Sequence, residues 1–143
     1  MYFIGIDISK FKHDCAVIDD TGEIITPSWS FTNDSEGFMQ FKMLLDSLDA
    51  ETRIGLESTG HYGMNLKLFL ESNNFSFMEF NPLLINRFVK SKSLRKTKSD
   101  SIDCMMIAHY LMTVEYKPYP ALLYHTEKLK SLTRFRDSLI TSF

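Results

Sequence analysis

The opening run Tyr2-Phe3-Ile4-Gly5-Ile6-Asp7-Ile8-Ser9-Lys10 is apolar at odd and even positions alike, with one acid inside it. That pattern predicts the central strand of a sheet covered on both faces. Lys12 to Asp19, through Cys15-Ala16-Val17-Ile18, predicts a second strand. The turn signal Asp19-Asp20-Thr21-Gly22 leads into a third, Glu23 to Ser30, with Ile24, Ile25 and Trp29. Pro27 places that third run at a sheet edge or a bulge, because proline cannot donate to a ladder. The short connections make the three an antiparallel meander.

The period then changes. Phe38, Phe41, Leu44, Leu45 and Leu48 recur at helical spacing behind Thr32-Asn33-Asp34-Ser35, a capping sequence with Glu36 in the first turn. Thr52 to Glu57 predicts a fourth strand ending on an acid. Ser58-Thr59-Gly60 predicts the cap of a second helix, with Met64, Leu66, Leu68, Phe69 and Leu70 toward the sheet and Asn73-Asn74 at its end. Phe75 to Phe80 alternates as a fifth strand. Strand, helix and strand of this length imply a right-handed parallel crossover.

Asn81-Pro82 breaks that strand. Leu83 to Val89 predicts a helix with Leu84, Ile85, Phe88 and Val89 on its apolar side. Lys90 to Ser99 is polar and basic and predicts an exposed loop. A helix follows from Ser99 to Val114, capped by Ser99 or Asp100 and burying Ile102, Met106, Ile107, Tyr110 and Leu111. Lys117-Pro118-Tyr119-Pro120 is a break. His125 to Phe143 resumes helical spacing through Leu129, Leu132, Phe135 and Leu139, a stripe that predicts packing on a partner chain or a further segment.

Composition narrows the class. A chain of 143 residues is large enough for one domain with a substantial core. No run approaches the ~18 apolar residues of a membrane span. The start has no basic region and cleavage site of a signal peptide, so the expectation is cytoplasmic, with no membrane. Cys15 and Cys104 have no metal-ligand spacing and are expected reduced and buried. The formal net charge of −2 hides an asymmetry. Between Arg87 and Lys98 the bases Arg87, Lys90, Lys92, Arg95, Lys96 and Lys98 are interrupted by no acid.

Four acids carry the candidate chemistry. Asp7 lies in the first strand, where a carboxylate must be hydrogen-bonded, paired or bound to a cation. Glu57 ends the fourth strand. Asp100 and Asp103 are three apart at a helix start, hence on one face. If the first and fourth strands are neighbours, Asp7 and Glu57 share one rim of the sheet, and a helix across that rim adds the other two. Oxygen-only ligands suit Mg²⁺ or Mn²⁺, and two such ions can clamp an in-line phosphoryl displacement. The basic run would then hold a phosphate backbone that the acids alone repel. Each residue also has a plain structural reading. Asp7 can bond the turn at Ser9-Lys10, and Glu57, Asp100 and Asp103 can cap helices or complement their dipoles. His61, Tyr62, Ser9 and Lys10 receive no chemistry.

Taken in order, Gly5-Ile6-Asp7-Ile8-Ser9-Lys10, Leu56-Glu57-Ser58-Thr59-Gly60-His61-Tyr62, Asn81-Pro82 and Lys98-Ser99-Asp100-Ser101-Ile102-Asp103-Cys104 resemble the N-terminal domain of the DEDD transposases of the bacterial insertion-sequence 110 family. The resemblance runs from Tyr2 into the final helix. It implies an α/β, RNase H-like (RuvC-like) fold with a mixed five-stranded sheet and flanking helices. It places a catalytic domain at residues 1–116 and the start of a helical, coiled-coil linker at 117–143. Asp7, Glu57, Asp100 and Asp103 would bind Mg²⁺ for DNA strand cleavage and transfer. It further implies a guide RNA, a dimer or tetramer formed through the C-terminal helix, and a separate serine-bearing C-terminal domain that this chain lacks. Ser99 and Cys104 depart from the family's usual Thr and Ala, small residue for small residue. Two other readings compete with it. One is a non-catalytic module for RNA binding or oligomerisation. The other is an actin-like ATPase half-domain, which shares the strand-Asp-hairpin opening.

Overall fold

A computed structural model describes residues 1–57, 60–91 and 103–118. Five strands run in the order β3-β2-β1-β4-β5: β1 Tyr2–Ile8, β2 Lys12–Asp19, β3 Ile24–Thr32, β4 Thr52–Glu57 and β5 Met78–Phe80. The first three form the antiparallel meander, whereas β1 with β4, and β4 with β5, are parallel. The sheet is therefore mixed, with β1 at its centre, and helices flank it in the RNase H-like manner.

Alternation along β1 explains the two layers. Ile4, Ile6 and Ile8 face helix α1 (Ser35–Ser47) and helix α2 (Met64–Ser72), where they pack with Phe38, Phe41, Leu66 and Leu70. Phe3 faces helix α3 (Pro82–Ser91) and helix α4 (Cys104–Thr113), in a cluster with Ile85, Val89, Ile107 and Leu111. Gly5 lies between Phe3 and Asp7 on that second face. A Cβ there would stand 2.1 Å from the Cys104 carbonyl oxygen and 2.4 Å from the Ala108 nitrogen. The backbone of α4 thus rests on the backbone of β1, which only glycine permits. Gly5 pairs across with Ala16 on one side and Gly55 on the other, so the floor beneath α4 is a row of small residues.

Local chemistry sets the boundaries. Asp34 caps α1 by accepting from the Gly37 amide at 2.8 Å. Asp19 Oδ1 accepts from the Thr21 and Glu23 amides, and Gly22 takes φ 88°, which closes the β2–β3 turn. Pro27 does lie on an edge strand, and the register between β2 and β3 shifts beside it.

Several expectations need correction. The second helix is not capped by Ser58-Thr59-Gly60. A 3₁₀ turn, Gly60–Gly63, comes first, and α2 begins at Met64 without a side-chain cap. Met64 is consequently exposed. The fifth strand pairs only from Met78. Lys90 belongs to the last turn of α3 rather than a loop, where its charge complements the helix dipole. The last described helix begins at Cys104, with Asp103 as its N-cap in place of Ser99 or Asp100. Asp100, Lys92, Arg95, Lys96 and Lys98, and residues 119–143 of the linker expected over 117–143, lie outside the described residues. Cys15 and Cys104 are buried free thiols.

Candidate active site

The acids gather at one end of the sheet. Parallel pairing of β1 with β4 runs from Tyr2↔Thr52 to Ile6↔Leu56, and the next step brings Asp7 level with Glu57. On the other side of β1, Asp7 pairs directly with Asp14. Three neighbouring strands therefore place Asp14, Asp7 and Glu57 in one row. Residues opposite one another project to the same face, so all three share the α4 side with Gly5.

Helix α4 adds the fourth acid. Because Gly5 lets the first turn of α4 sit on β1, Asp103 arrives next to the end of β1. Asp103 Oδ1 accepts from the Met106 amide at 2.9 Å. Its capping role is thus present, and it does not displace the residue from the acid row.

Electrostatics express the crowding. The Asp7 carboxyl is pushed up from 3.8 to about 6, first by burial, then by the negative charges of Glu57, Asp14 and Asp103. Burial also raises Glu57. Among the described residues, no Lys, Arg or His forms an ion pair with Asp7, Glu57 or Asp103. Like charges facing each other across strands are destabilising. Among the described residues the row thus has no countercharge, and its donors are all carboxylate oxygens. Both features fit a hard divalent cation. Among the described residues, no group of three His, Cys, Asp or Glu side chains is arranged to hold one. Asp7, Glu57 and Asp103 are oxygen donors of the kind such an ion takes, and the described residues do not gather them into a coordination shell.

Asp14 is the acid that sequence reasoning passed over. Its signal was there: the β1–β2 turn is short, so residues equidistant from it must pair, and Asp7 and Asp14 do. Ser30, opposite Asp14 on β3, donates its hydroxyl to Asp14 Oδ1. That bond gives Asp14 a partner that Asp7 lacks among the described residues. Of the basic residues, Arg87 and Lys90 stand on α3, whose Ile85 and Val89 pack in the same layer as α4.

These features define an RNase H-like α/β domain with an acidic row at the carboxyl ends of its parallel central strands. The family model for DEDD transposases of the insertion-sequence 110 type, described as a transposase, matches residues 4–143. This chain belongs to that family. A pilin gene-inverting protein of Moraxella bovis is 32% identical over 112 residues, covering 76% of this chain and 33% of that protein. Its namesake in Moraxella lacunata is 31% identical over the same shares. A Streptomyces coelicolor protein, whose name proposes it as the mini-circle transposase of IS117, is 29% identical over 125 residues, covering 83% of this chain and 29% of that protein. The chain spans about a third of the length of these relatives. Among the described residues, no helix is long and apolar enough to cross a membrane.

Proposed function

We propose that this chain supplies the metal-dependent part of a DNA transposase or recombinase, acting in strand cleavage and strand transfer. Asp7, Glu57, Asp100 and Asp103 hold Mg²⁺ or Mn²⁺. Bound there, the ions supply the positive charge that the attacking and leaving oxygens of an in-line phosphoryl displacement require. The chain's own part is to fix the carboxylates. Strands β1 and β4 hold Asp7 and Glu57 level with each other, and the Met106 amide donates to one carboxylate oxygen of Asp103. Arg87, Lys90, Lys92, Arg95, Lys96 and Lys98 hold the phosphate backbone against the repulsion of the acids. A guide RNA directs the reaction. Residues 125–143 assemble the chain into a dimer or tetramer in the cytoplasm. The relatives' names speak of gene inversion and of transposition, and both outcomes require DNA strands to be cut and rejoined.

The observation that carries this reading is the convergence of Asp7, Glu57 and Asp103 without a countercharge among the described residues. Calorimetric titration with Mg²⁺ and Mn²⁺, beside thermal melts, tests it. Wild type binds and is stabilised; Asp7→Asn and Glu57→Gln are not. Unchanged metal stabilisation in both variants refutes the assignment and leaves the non-catalytic binding module, with Asp103 as a cap alone.

A further inference from the structure

The β1–β2 turn is clamped from inside and armed on its outside. The Ser9 amide donates to His13 Nδ1 at 3.3 Å, and the Ser9 hydroxyl donates to the Lys12 carbonyl. The Asn33 amide donates to the Phe11 carbonyl at 2.8 Å, and Asn33 Nδ2 donates to the Lys10 carbonyl at 3.0 Å. His13 is fully buried, edge-on to Phe31 with ring centroids 5.5 Å apart and stacked on Phe38 at 6.4 Å. Every backbone group of residues 9–11 named here is held by a residue of β2 or of the β3–α1 connection.

What this turn presents is an exposed aromatic ring with a lysine before and after it in the chain. Phe11 is 75% exposed, and Lys10 and Lys12 on either side are exposed as well. The Lys10 ammonium stands 5.1 Å from the Phe11 ring centroid. A single exposed apolar side chain is ordinary on any surface. An exposed ring on a turn held by main-chain bonds, with a lysine before and after it in the chain and four residues beyond Asp7, is a different object.

We propose that Phe11, with Lys10 and Lys12, is a stacking platform for an unpaired nucleobase of a nucleic-acid strand engaged at the acidic end of the sheet. Every base has a π-face to lay on the ring, and the two ammonium groups suit the phosphates on either side of it. A paired base in a duplex has both faces covered by its neighbours, so the platform selects single strands. The inference rests on the reading of the acid row as a site acting on nucleic acid, yet the stacking itself needs no metal.

Fluorescence anisotropy in EDTA at low salt tests the platform apart from the metal site. The probes are a fluorescein-labelled 12-nucleotide DNA strand, the same sequence as RNA, and the DNA duplex. Phe11→Ala and Phe11→Leu are expected to weaken single-strand binding about fivefold or more and to leave duplex binding unchanged, whereas Phe11→Trp retains it. Because Phe11 is exposed, all three variants should melt as wild type does. A loss confined to DNA assigns the platform to the substrate strand, and a loss confined to RNA to a guide strand; either supports stacking. Equal binding by wild type, Phe11→Ala and Phe11→Leu overturns the proposal, as does a wild type that binds neither strand.

Discussion

Replacing Asp7 by asparagine separates the two meanings that a carboxylate in a central strand can have. If the charge serves a bound cation, the metal-free chain carries it at a cost. The shift from 3.8 to about 6 corresponds to roughly 3 kcal/mol at neutral pH. The carboxyl is only half-buried, so solvent screens the repulsion, and we take about half of that, ~1–2 kcal/mol. Asp7→Asn in EDTA should therefore be more stable than wild type by that amount in urea unfolding at pH 7.5. The pH dependence has a definite sign. Between 3.8 and 6 the folded chain binds a proton that the unfolded chain releases, so wild type gains on the variant as the pH falls through 6, and the gap closes below about 4. Saturating Mg²⁺ should reverse the order at pH 7.5, because a ligand at a hundred times its Kd stabilises by about 2.7 kcal/mol. A variant less stable than wild type by 1 kcal/mol or more in EDTA would refute the reasoning. It would mean that the Asp7 carboxylate already satisfies structural donors, as in the turn-bonding alternative.

Three further outcomes follow from the same geometry. Asp103→Asn keeps a good N-cap and should change stability by under about 0.5 kcal/mol, whereas Asp103→Ala loses the bond from Met106 and about 1 kcal/mol; metal-dependent stabilisation should vanish in both, as thermal melts with and without Mn²⁺ would register. Gly5→Ala must push α4 off β1, since its Cβ would lie 2.1 Å from a main-chain oxygen. A destabilisation of about 1–3 kcal/mol is expected, with faster amide exchange in α4. Asp14→Asn removes one of the like charges beside Asp7 and should lower the Asp7 pKa toward its ordinary value, measured by NMR titration of the carboxyl carbon; an unmoved titration curve would show that the two do not interact.

Most of the sheet was legible because its signals are local. The predicted bounds of the second and fourth strands, Lys12 to Asp19 and Thr52 to Glu57, match the observed ones. Both runs are short, centred on apolar residues and bounded by turn residues or polar breaks. What failed was also local, but ambiguous. Ser58-Thr59-Gly60 carries the chemistry of a helix cap, yet Gly63, buried against Ile8, is where the regular helix starts. The residues before α4 offered Ser99 and Asp100 as caps, and Asp103 is the cap of the described helix, whose first turn the small row Ala16-Gly5-Gly55 lets sit on the sheet.

The row of acids was legible in a different way. Asp7 and Glu57 stood out because an acid inside or ending an apolar run demands a partner, and that demand can be read without knowing the neighbours. Asp14 follows the polar His13 and breaks no apolar run, so only its register opposite Asp7 gives it meaning. The turn at Ser9-Lys10-Phe11 was equally silent, since its rigidity comes from His13 and from Asn33, more than twenty residues away in the chain. Register and clamping are properties of pairs. A single buried acid can announce that it needs a partner, but which other residues stand beside it appears only when the strands are laid side by side.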